Sequence, residues 1–199
     1  METLILIAVL LFSIVIHEVA HGAMAYYLGD PTAKYAGRLT LNPIRHLDPI
    51  GSILVPLFLV IIGSPLFGWA KPVPFNPYYL RDRRYGSLKV AIAGPASNLL
   101  IALVFGLLIR SFPDLAGFPA IFLSAIVFVN ILLAVINLMP IPPLDGSHIL
   151  FTFLPSSMQR LRVMFSRYGF VILVIFIVVG GFRLIFPLVL QIFSLITGL

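Results

Sequence analysis

Residues 4–27 read LILIAVLLFSIVIHEVAHGAMAYY, an apolar run that is long enough to cross a bilayer as a helix. Before Tyr26, its only ionisable side chains are those of His17, Glu18 and His21. An ionisable group at the centre of a membrane-spanning helix costs roughly 2.5–3.5 kcal/mol on insertion scales. Such groups placed so close together indicate that a binding partner offsets this cost.

The spacing of the two histidines indicates a metal ion as that partner. Side chains four residues apart lie on the same face of a helix, so His17 and His21 can bind one ion. Glu18, next to the first histidine, can then act as a general base on a water molecule at the metal. Short HExxH patterns also occur by chance, so this interpretation depends on further residues.

Composition bounds the class of protein. Of the 199 residues, 60% are hydrophobic and 10% are charged, whereas soluble domains carry about 25% charged residues. The chain is therefore predicted to be an integral membrane protein with the lipid bilayer as a partner. The basic residues lie in short loops between apolar segments, as the positive-inside rule expects, so no nucleic-acid partner is predicted. The lack of cysteine excludes disulfides, a thiolate metal site and a cysteine nucleophile.

The apolar segments predict an all-α polytopic membrane protein, a bundle of about five to six transmembrane or re-entrant helices. Residues 34–42 alternate loosely and are expected to form a short β-like surface element or a loop. Residues 155–167 are expected to form a basic, weakly amphipathic connector that is a solvated surface helix. Gly180-Gly181 and Pro187 interrupt the last segment, which leaves open whether it crosses once or twice. The apolar segments cover residues 3–28, 50–68, 87–110, 118–139 and 168–198.

A zinc site that activates water uses three protein ligands and one open position, so a third ligand must come from elsewhere in the chain. Asp145 is the best placed candidate, because it follows an apolar segment broken by prolines and Gly146 allows a tight turn there. His148 is the alternative ligand, and Asp145 could instead cap the following helix. His46 fits a surface loop better than a catalytic site. The candidates are Asp30, His46, Asp48, Asp82, Asp114, Asp145 and His148.

Asn98 is a further polar residue in apolar surroundings, one turn into its predicted helix. Its amide could hydrogen-bond a substrate backbone or stabilise a developing oxyanion. A polar contact between two membrane helices explains the residue equally well.

Three motifs at the ends of membrane segments form a more specific set than any one of them: His17-Glu-Val-Ala-His21, Gly94-Pro-Ala-Ser-Asn98 and Asn137-Leu-Met-Pro-Ile-Pro-Pro-Leu-Asp145-Gly146. By this set the chain resembles the site-2 protease family of intramembrane zinc metalloproteases (peptidase family M50). Residues 41–51 and 68–74 resemble the compact prokaryotic form, which lacks PDZ and CBS domains.

The resemblance implies that zinc is held by His17, His21 and Asp145, with one ion per chain, although iron and cobalt are chemically possible. It implies that Glu18 is the general base and that Asn98 supports the substrate or the transition state. These roles come from the family likeness and add to what the helical spacing predicts.

The same resemblance implies hydrolysis of peptide bonds within or near transmembrane segments of membrane proteins, as in regulated intramembrane proteolysis. It also implies one membrane-embedded peptidase domain over residues 1–199. The catalytic core would cover about 1–155, and the C-terminal membrane segment or segments would cover 168–198. The substrate is a transmembrane protein of unknown identity, and the oligomeric state stays open.

The three motifs must meet at one depth of the membrane, which constrains the topology. If the first helix runs from outside to inside, they meet near the inner face only when segment 50–68 is a re-entrant hairpin. All Lys and Arg residues except Arg110 and Arg183 then lie inside, as the positive-inside rule prefers. The sequence therefore predicts a multi-pass protein of a prokaryotic cell membrane with its active site towards the cytoplasm.

Two other functions fit parts of the pattern. Intramembrane histidine and glutamate also build the ion paths of transporters, but a transporter predicts further polar residues along a route across the bundle. An inactive relative that binds membrane helices without cutting them is the other alternative. The intact set of His17, Glu18, His21 and Asp145 argues against it.

Overall fold

The computed structural model describes residues 2–48 and 71–199, together with the isolated positions 51, 54, 58 and 61. The α-helices in this part of the chain are α1 (Glu2–Tyr27), α2 (Thr32–Tyr35), α3 (Gly86–Ser111), α4 (Phe118–Asn137), α5 (Asp145–Phe153), α6 (Gln159–Val178) and α7 (Phe182–Thr197). The predicted all-α class is confirmed. Most of segment 50–68 lies outside the described residues, so its re-entrant form stays a prediction.

The described helices include four that are long and apolar enough to cross a membrane, namely α1, α3, α4 and α6. The chain is therefore a multi-pass membrane protein, as its composition predicts. Helix α3 lies at the centre of the bundle and packs against α1, α4 and α7. It runs antiparallel to α1, because His17 lies beside Asn98 while His21 lies beside Val90. The buried core that joins α3, α4 and α7 consists of Ala102, Ile109, Val127, Ile131, Ile185 and Val189.

The two ends of the segment 168–198 contact opposite ends of the bundle. Gly169 of α6 packs so closely on Pro142, just beyond the C-terminal end of α4, that a Cβ at Gly169 would lie 2.3 Å from the Pro142 Cβ. Gly198, directly after α7, lies beside Arg110 at the C-terminal end of α3. Because α3 and α4 are antiparallel neighbours, these two contacts lie at opposite ends of the bundle.

The break in this last segment lies at Gly180 and not at Pro187. Gly180 has a φ of +88°, a backbone conformation that glycine adopts without steric cost. Helix α7 continues through Pro187 without interruption. On the other side, α6 begins at Gln159, so most of the predicted connector 155–167 is the exposed first half of α6 rather than a separate element.

The β-like element predicted near residues 34–42 is wrong, and the loop alternative is right. Helix α2 ends at Tyr35. Gly37, two residues later, has a φ of +65° and donates its N–H to the carbonyl oxygen of Lys34. The chain then turns into a short 3-10 helix at Pro43–His46. A strand needs a neighbour that pairs with its backbone groups, and the described residues supply none here.

Candidate metal centre

Three potential metal ligands converge between α1 and α5. His17 and His21 lie one turn apart on α1, and Asp145 is the first residue of α5. Asp145 Oδ2 lies 3.1 Å from His17 Nε2 and 3.2 Å from His21 Nε2. The two Nε2 atoms lie 3.0 Å apart. No other group of three His, Cys, Asp or Glu residues in the described ranges brings its ligand atoms together in this way.

Hydrogen bonds on the far side of each imidazole ring determine which nitrogen carries the proton. His17 Nδ1 lies 2.6 Å from Asn98 Oδ1, and His21 Nδ1 lies 2.7 Å from the carbonyl oxygen of Val90. Both oxygens can only accept, so each Nδ1 carries the proton and donates it. Each neutral ring therefore presents the lone pair of its Nε2 towards Asp145.

The resulting cluster of three acceptors fits a metal ion. With both Nδ1 atoms protonated, the buried Asp145 Oδ2 receives no hydrogen bond from the described residues, so the three facing acceptors repel one another unless a proton or a metal ion lies between them. Ligands at about 2.0–2.2 Å from a tetrahedral zinc ion lie about 3.3–3.6 Å apart, close to the separations seen here. Two imidazoles with hydrogen-bonded Nδ1 atoms and one carboxylate are a donor set that suits zinc.

Helix α3 reaches the cluster through Gly94. A Cβ at this position would lie 2.4 Å from His21 Nε2 and 2.6 Å from His17 Cε1, well inside van der Waals contact. Gly94 therefore lets the α3 backbone pack directly against both rings. In the sequence, Gly94 belongs to the motif that ends at Asn98, and no local pattern predicts its contact with the histidines.

We expect Gly94→Ala to lower the zinc affinity of the folded protein by more than about 100-fold, because a methyl group displaces rings whose supporting contacts alone are worth about 10–100-fold. Zinc affinity measured by competition with a chelator checks this. Gly106→Ala is the matched control, since a Cβ there would lie 2.3 Å from Ile196 Cγ2 on α7. That variant should lose thermal stability and keep its zinc affinity. Equal losses of zinc affinity in both variants would contradict the role of Gly94.

The backbone before α5 brings Asp145 to the histidines. Leu144 is extended and precedes the helix, so Asp145 is a helical residue rather than the cap. Ser147 donates both its N–H and its hydroxyl to the carbonyl oxygen of Leu144. A Cβ at Gly146 would lie 2.2 Å from the carbonyl oxygen of Leu138, so the close approach of α5 to the end of α4 requires glycine.

A cavity of about 190 Å³ lies beside the cluster, and Glu18 is part of its wall. Glu18 Oε2 accepts a hydrogen bond of 2.7 Å from the N–H of Val73. This bond connects the carboxylate to the loop that precedes α3, a partner that no local pattern in the sequence indicates. The lining residues are His17, Glu18, His21, Pro72, Val73, Phe75, Val90, Ala91, Asn137, Pro143, Asp145 and His148.

The other candidate ligands do not join the cluster of ligand atoms. Asp30 is fully buried and accepts hydrogen bonds from backbone N–H groups beyond the end of α1. His46 Nε2 lies 2.8 Å from the carbonyl oxygen of Thr40. Asp82 forms an exposed ion pair of 2.7 Å with Lys89. The candidates outside the cluster are Asp30, His46, Asp48, Asp82, Asp114 and His148.

His148 lines the cavity without joining the cluster of ligand atoms. Its ring packs edge-on against Phe75, with 6.4 Å between the ring centroids. Burial lowers the pKa of His148 from the usual histidine value, although the Asp145 carboxylate acts in the opposite direction. Asn137 also lines the cavity and donates to the carbonyl oxygen of Leu133. In the sequence it is the first residue of the motif that ends at Gly146, without a predicted role of its own.

Asn98 lies behind His17 and not in the cavity wall. It has no exposed surface, and its amide is engaged within the bundle. Oδ1 accepts from His17 Nδ1, and Nδ2 donates to Asn130 Oδ1 at 2.8 Å. This arrangement matches the interhelical contact considered for Asn98, and its support of a substrate or transition state stays a prediction.

The fold and the site together define a class of protein: a multi-pass membrane protein with a buried His-His-Asp cluster beside a glutamate. The family model described as "Peptidase family M50" matches residues 114–179. The chain is 39% identical over 192 residues to "Putative zinc metalloprotease YwhC" of Bacillus subtilis, which covers 92% of this chain and 84% of that protein. It is 33% identical over 178 residues to "Putative zinc metalloprotease Rip2" of Mycolicibacterium smegmatis, a match that covers 88% of this chain and 67% of that protein. No solved structure gives a significant match.

The chain belongs to peptidase family M50, the site-2 protease family. This membership confirms the resemblance that the three motifs predict. It makes the protein a hydrolase of the zinc metalloprotease class, embedded in a membrane by several helices.

Proposed function

We propose that this protein hydrolyses peptide bonds within or near transmembrane segments of membrane proteins, as in regulated intramembrane proteolysis. One observation carries the proposal: the two histidines of the cluster belong to α1, a helix that is apolar enough to span a membrane. A zinc protease that acts on soluble peptides has no need of ligands inside such a helix, where ionisable groups are costly.

In this proposal His17, His21 and Asp145 hold one zinc ion per chain, which supplies a Lewis acid for the scissile carbonyl and an acidified water molecule. Glu18 accepts the proton of the attacking water and later delivers it to the leaving amine. The Val73 N–H holds the Glu18 carboxylate beside the cavity. The substrate helix must unwind locally, because its carbonyl oxygens are otherwise engaged in helical hydrogen bonds.

We also propose that the active site faces the cytoplasm of a prokaryotic cell. The cluster lies towards the C-terminal end of α1, and the loops that follow α1 and precede α3 meet at that end of the bundle. These loops carry many basic residues, among them Lys34, Arg38 and Arg81, whereas the opposite end carries Arg110. The positive-inside rule favours the basic end as the cytoplasmic one.

Residues 1–199 are proposed to form a single peptidase domain. The core of about 1–155 contains every residue of the cluster and its cavity. The C-terminal segment 168–198 adds α7, which packs on α3 and α4 and completes their shared core.

A transport function is less well supported by the buried polar residues. In α1, α3 and α4 the buried polar side chains are linked through hydrogen bonds into one group around His17. No further buried polar side chain in these described helices continues a route across the bundle. The group consists of Ser13, His17, His21, Asn98 and Asn130.

The test is cleavage of a single-span membrane protein by the purified protease in liposomes, with the products located by mass spectrometry. We expect a cut within or next to the spanning segment, loss of cleavage after treatment with a zinc chelator, and recovery when zinc is restored. Cuts confined to distant soluble regions would overturn the intramembrane assignment. Metal flux across the liposome without cleavage would favour the transporter.

A further inference from the structure

A chain of buried hydrogen bonds links His17 to a backbone carbonyl of α4. His17 Nδ1 donates to Asn98 Oδ1 at 2.6 Å. Asn98 Nδ2 donates to Asn130 Oδ1 at 2.8 Å and, over a longer distance of 3.4 Å, to the carbonyl oxygen of Ser13. Asn130 Nδ2 donates in turn to the carbonyl oxygen of Ile126 at 2.8 Å and to Ser13 Oγ at 2.9 Å. Asn98 and Asn130 have no exposed surface, so both amides depend on these protein partners.

The backbone carbonyl at the far end of this series of hydrogen bonds determines which way each amide is turned. A carbonyl oxygen can only accept, so Asn130 must turn its NH2 group towards Ile126 and its oxygen towards Asn98. Asn98 must then turn its own NH2 group towards Asn130 and its oxygen towards His17. Only a protonated Nδ1 satisfies that oxygen, which leaves the lone pair of His17 Nε2 for the metal.

The two histidines therefore reach the same protonation pattern in different ways. His21 Nδ1 donates directly to the carbonyl oxygen of Val90, an acceptor that cannot be reversed. His17 Nδ1 meets a side-chain amide, and an amide can turn over and exchange its oxygen for its NH2 group. The carbonyl oxygen of Ser13 opposes this reversal only through a long contact of 3.4 Å with Asn98 Nδ2. The bond of 2.8 Å to Asn130 is therefore the stronger constraint on the amide.

We propose that Asn130 is a positioning residue for the metal centre: it fixes the orientation of the Asn98 amide and thereby keeps His17 in the form whose Nε2 binds zinc. The proposal rests on the proposed function of His17 as a ligand. Without Asn130, only the long contact with the Ser13 carbonyl opposes reversal of the Asn98 amide, and the reversed amide donates to His17 Nδ1 and favours a proton on Nε2, which blocks coordination. The Ser13 hydroxyl is a second acceptor for Asn130 Nδ2 beside the Ile126 carbonyl. It is not essential for the orientation of the Asn130 amide.

The test compares zinc affinities of full-length variants in detergent by competition with a chelator, so proteolysis is not needed as a readout. Asn130→Leu should bind zinc about 10–100-fold more weakly than the wild type. Val127→Ala is the matched control, since Val127 lies on the same helix, is fully buried and takes no part in the hydrogen-bond chain. This variant should unfold at a lower temperature but keep a zinc affinity within about threefold of the wild type.

A double-mutant cycle separates positioning from a merely structural role. In Asn98→Asp both side-chain oxygens accept, so His17 Nδ1 keeps its proton whichever way the carboxylate is turned. Asn130→Leu should therefore lower zinc affinity less than about threefold in the Asn98→Asp background, against about 10–100-fold in the wild-type background. Equal losses in both backgrounds would overturn the proposal.

Asn130→Ser serves if Asn130→Leu does not fold. Its hydroxyl can bond back to the Ile126 carbonyl, as serine often does in membrane helices, but it is too short to replace the amide that orients Asn98. The same loss of zinc affinity is expected, and wild-type affinity would overturn the proposal. His17→Ala calibrates the assay: unchanged zinc affinity there would overturn the proposed metal site and this inference together. A loss in His17→Ala without a loss in the Asn130 variants would overturn this inference alone.

Discussion

In Glu18→Gln we expect cleavage of a membrane-protein substrate to fall by about 10²–10⁴-fold, the usual contribution of a general base, while zinc binding is unchanged. The glutamine oxygen can still accept the hydrogen bond from the Val73 N–H, and Glu18 does not belong to the cluster of ligand atoms. The variant therefore keeps the shape of the cavity and loses the group that takes a proton from water. Elemental analysis and a cleavage assay on one detergent preparation measure both quantities.

Asp82→Asn is the matched control for this experiment. It also replaces one carboxylate by an amide, but Asp82 is paired with Lys89 at the surface and does not line the cavity. The hydrogen bond from Lys89 lowers the pKa of Asp82, so the control removes a charge that is present near neutral pH. We expect wild-type cleavage from it. Full cleavage by Glu18→Gln would refute the mechanism, and loss of zinc from that variant would give Glu18 a role in metal binding.

The grouping of His17, His21 and Asp145 could be predicted from the sequence because two simple constraints apply. Helical periodicity places the two histidines on one face of a helix. A chain with so few charged residues then offers few candidates for the third ligand, and Gly146 favours Asp145 over His148 because it allows a tight turn. The resemblance to the site-2 protease family implies the same choice. Both constraints are local, so a single sequence contains them.

The residues that support the cluster could not be predicted in the same way. The contact of Gly94 with both rings and the bond from Val73 to Glu18 depend on how α1, α3 and a distant loop meet in space. Asn98 illustrates the difficulty, since its amide could have faced a substrate or another helix. Only the packing of α4 beside α1 shows that Asn130 occupies the other side of that amide.

In Asp145→Ala we expect zinc affinity to fall by more than about 100-fold, beyond the 10–100-fold typical of residues that merely support a ligand. Asp145 Oδ2 is the only carboxylate oxygen that reaches both Nε2 atoms among the described residues. Its removal leaves two neutral imidazoles and no anionic ligand. Asp145→Asn, which keeps an oxygen of similar reach but loses the charge, should retain more zinc affinity than Asp145→Ala. Chelator competition measures all three affinities on one scale.

His148→Ala tests the alternative ligand in the same series. His148 lines the cavity, but its nitrogens lie outside the group formed by His17, His21 and Asp145. Its removal should change zinc affinity by less than about threefold, well below the loss expected for a ligand. The opposite result, in which Asp145→Ala keeps zinc and His148→Ala loses it, would mean that α5 turns about its axis when the metal binds. His148 would then be the third ligand, because it lies about one helical turn after Asp145 and on the same face of α5.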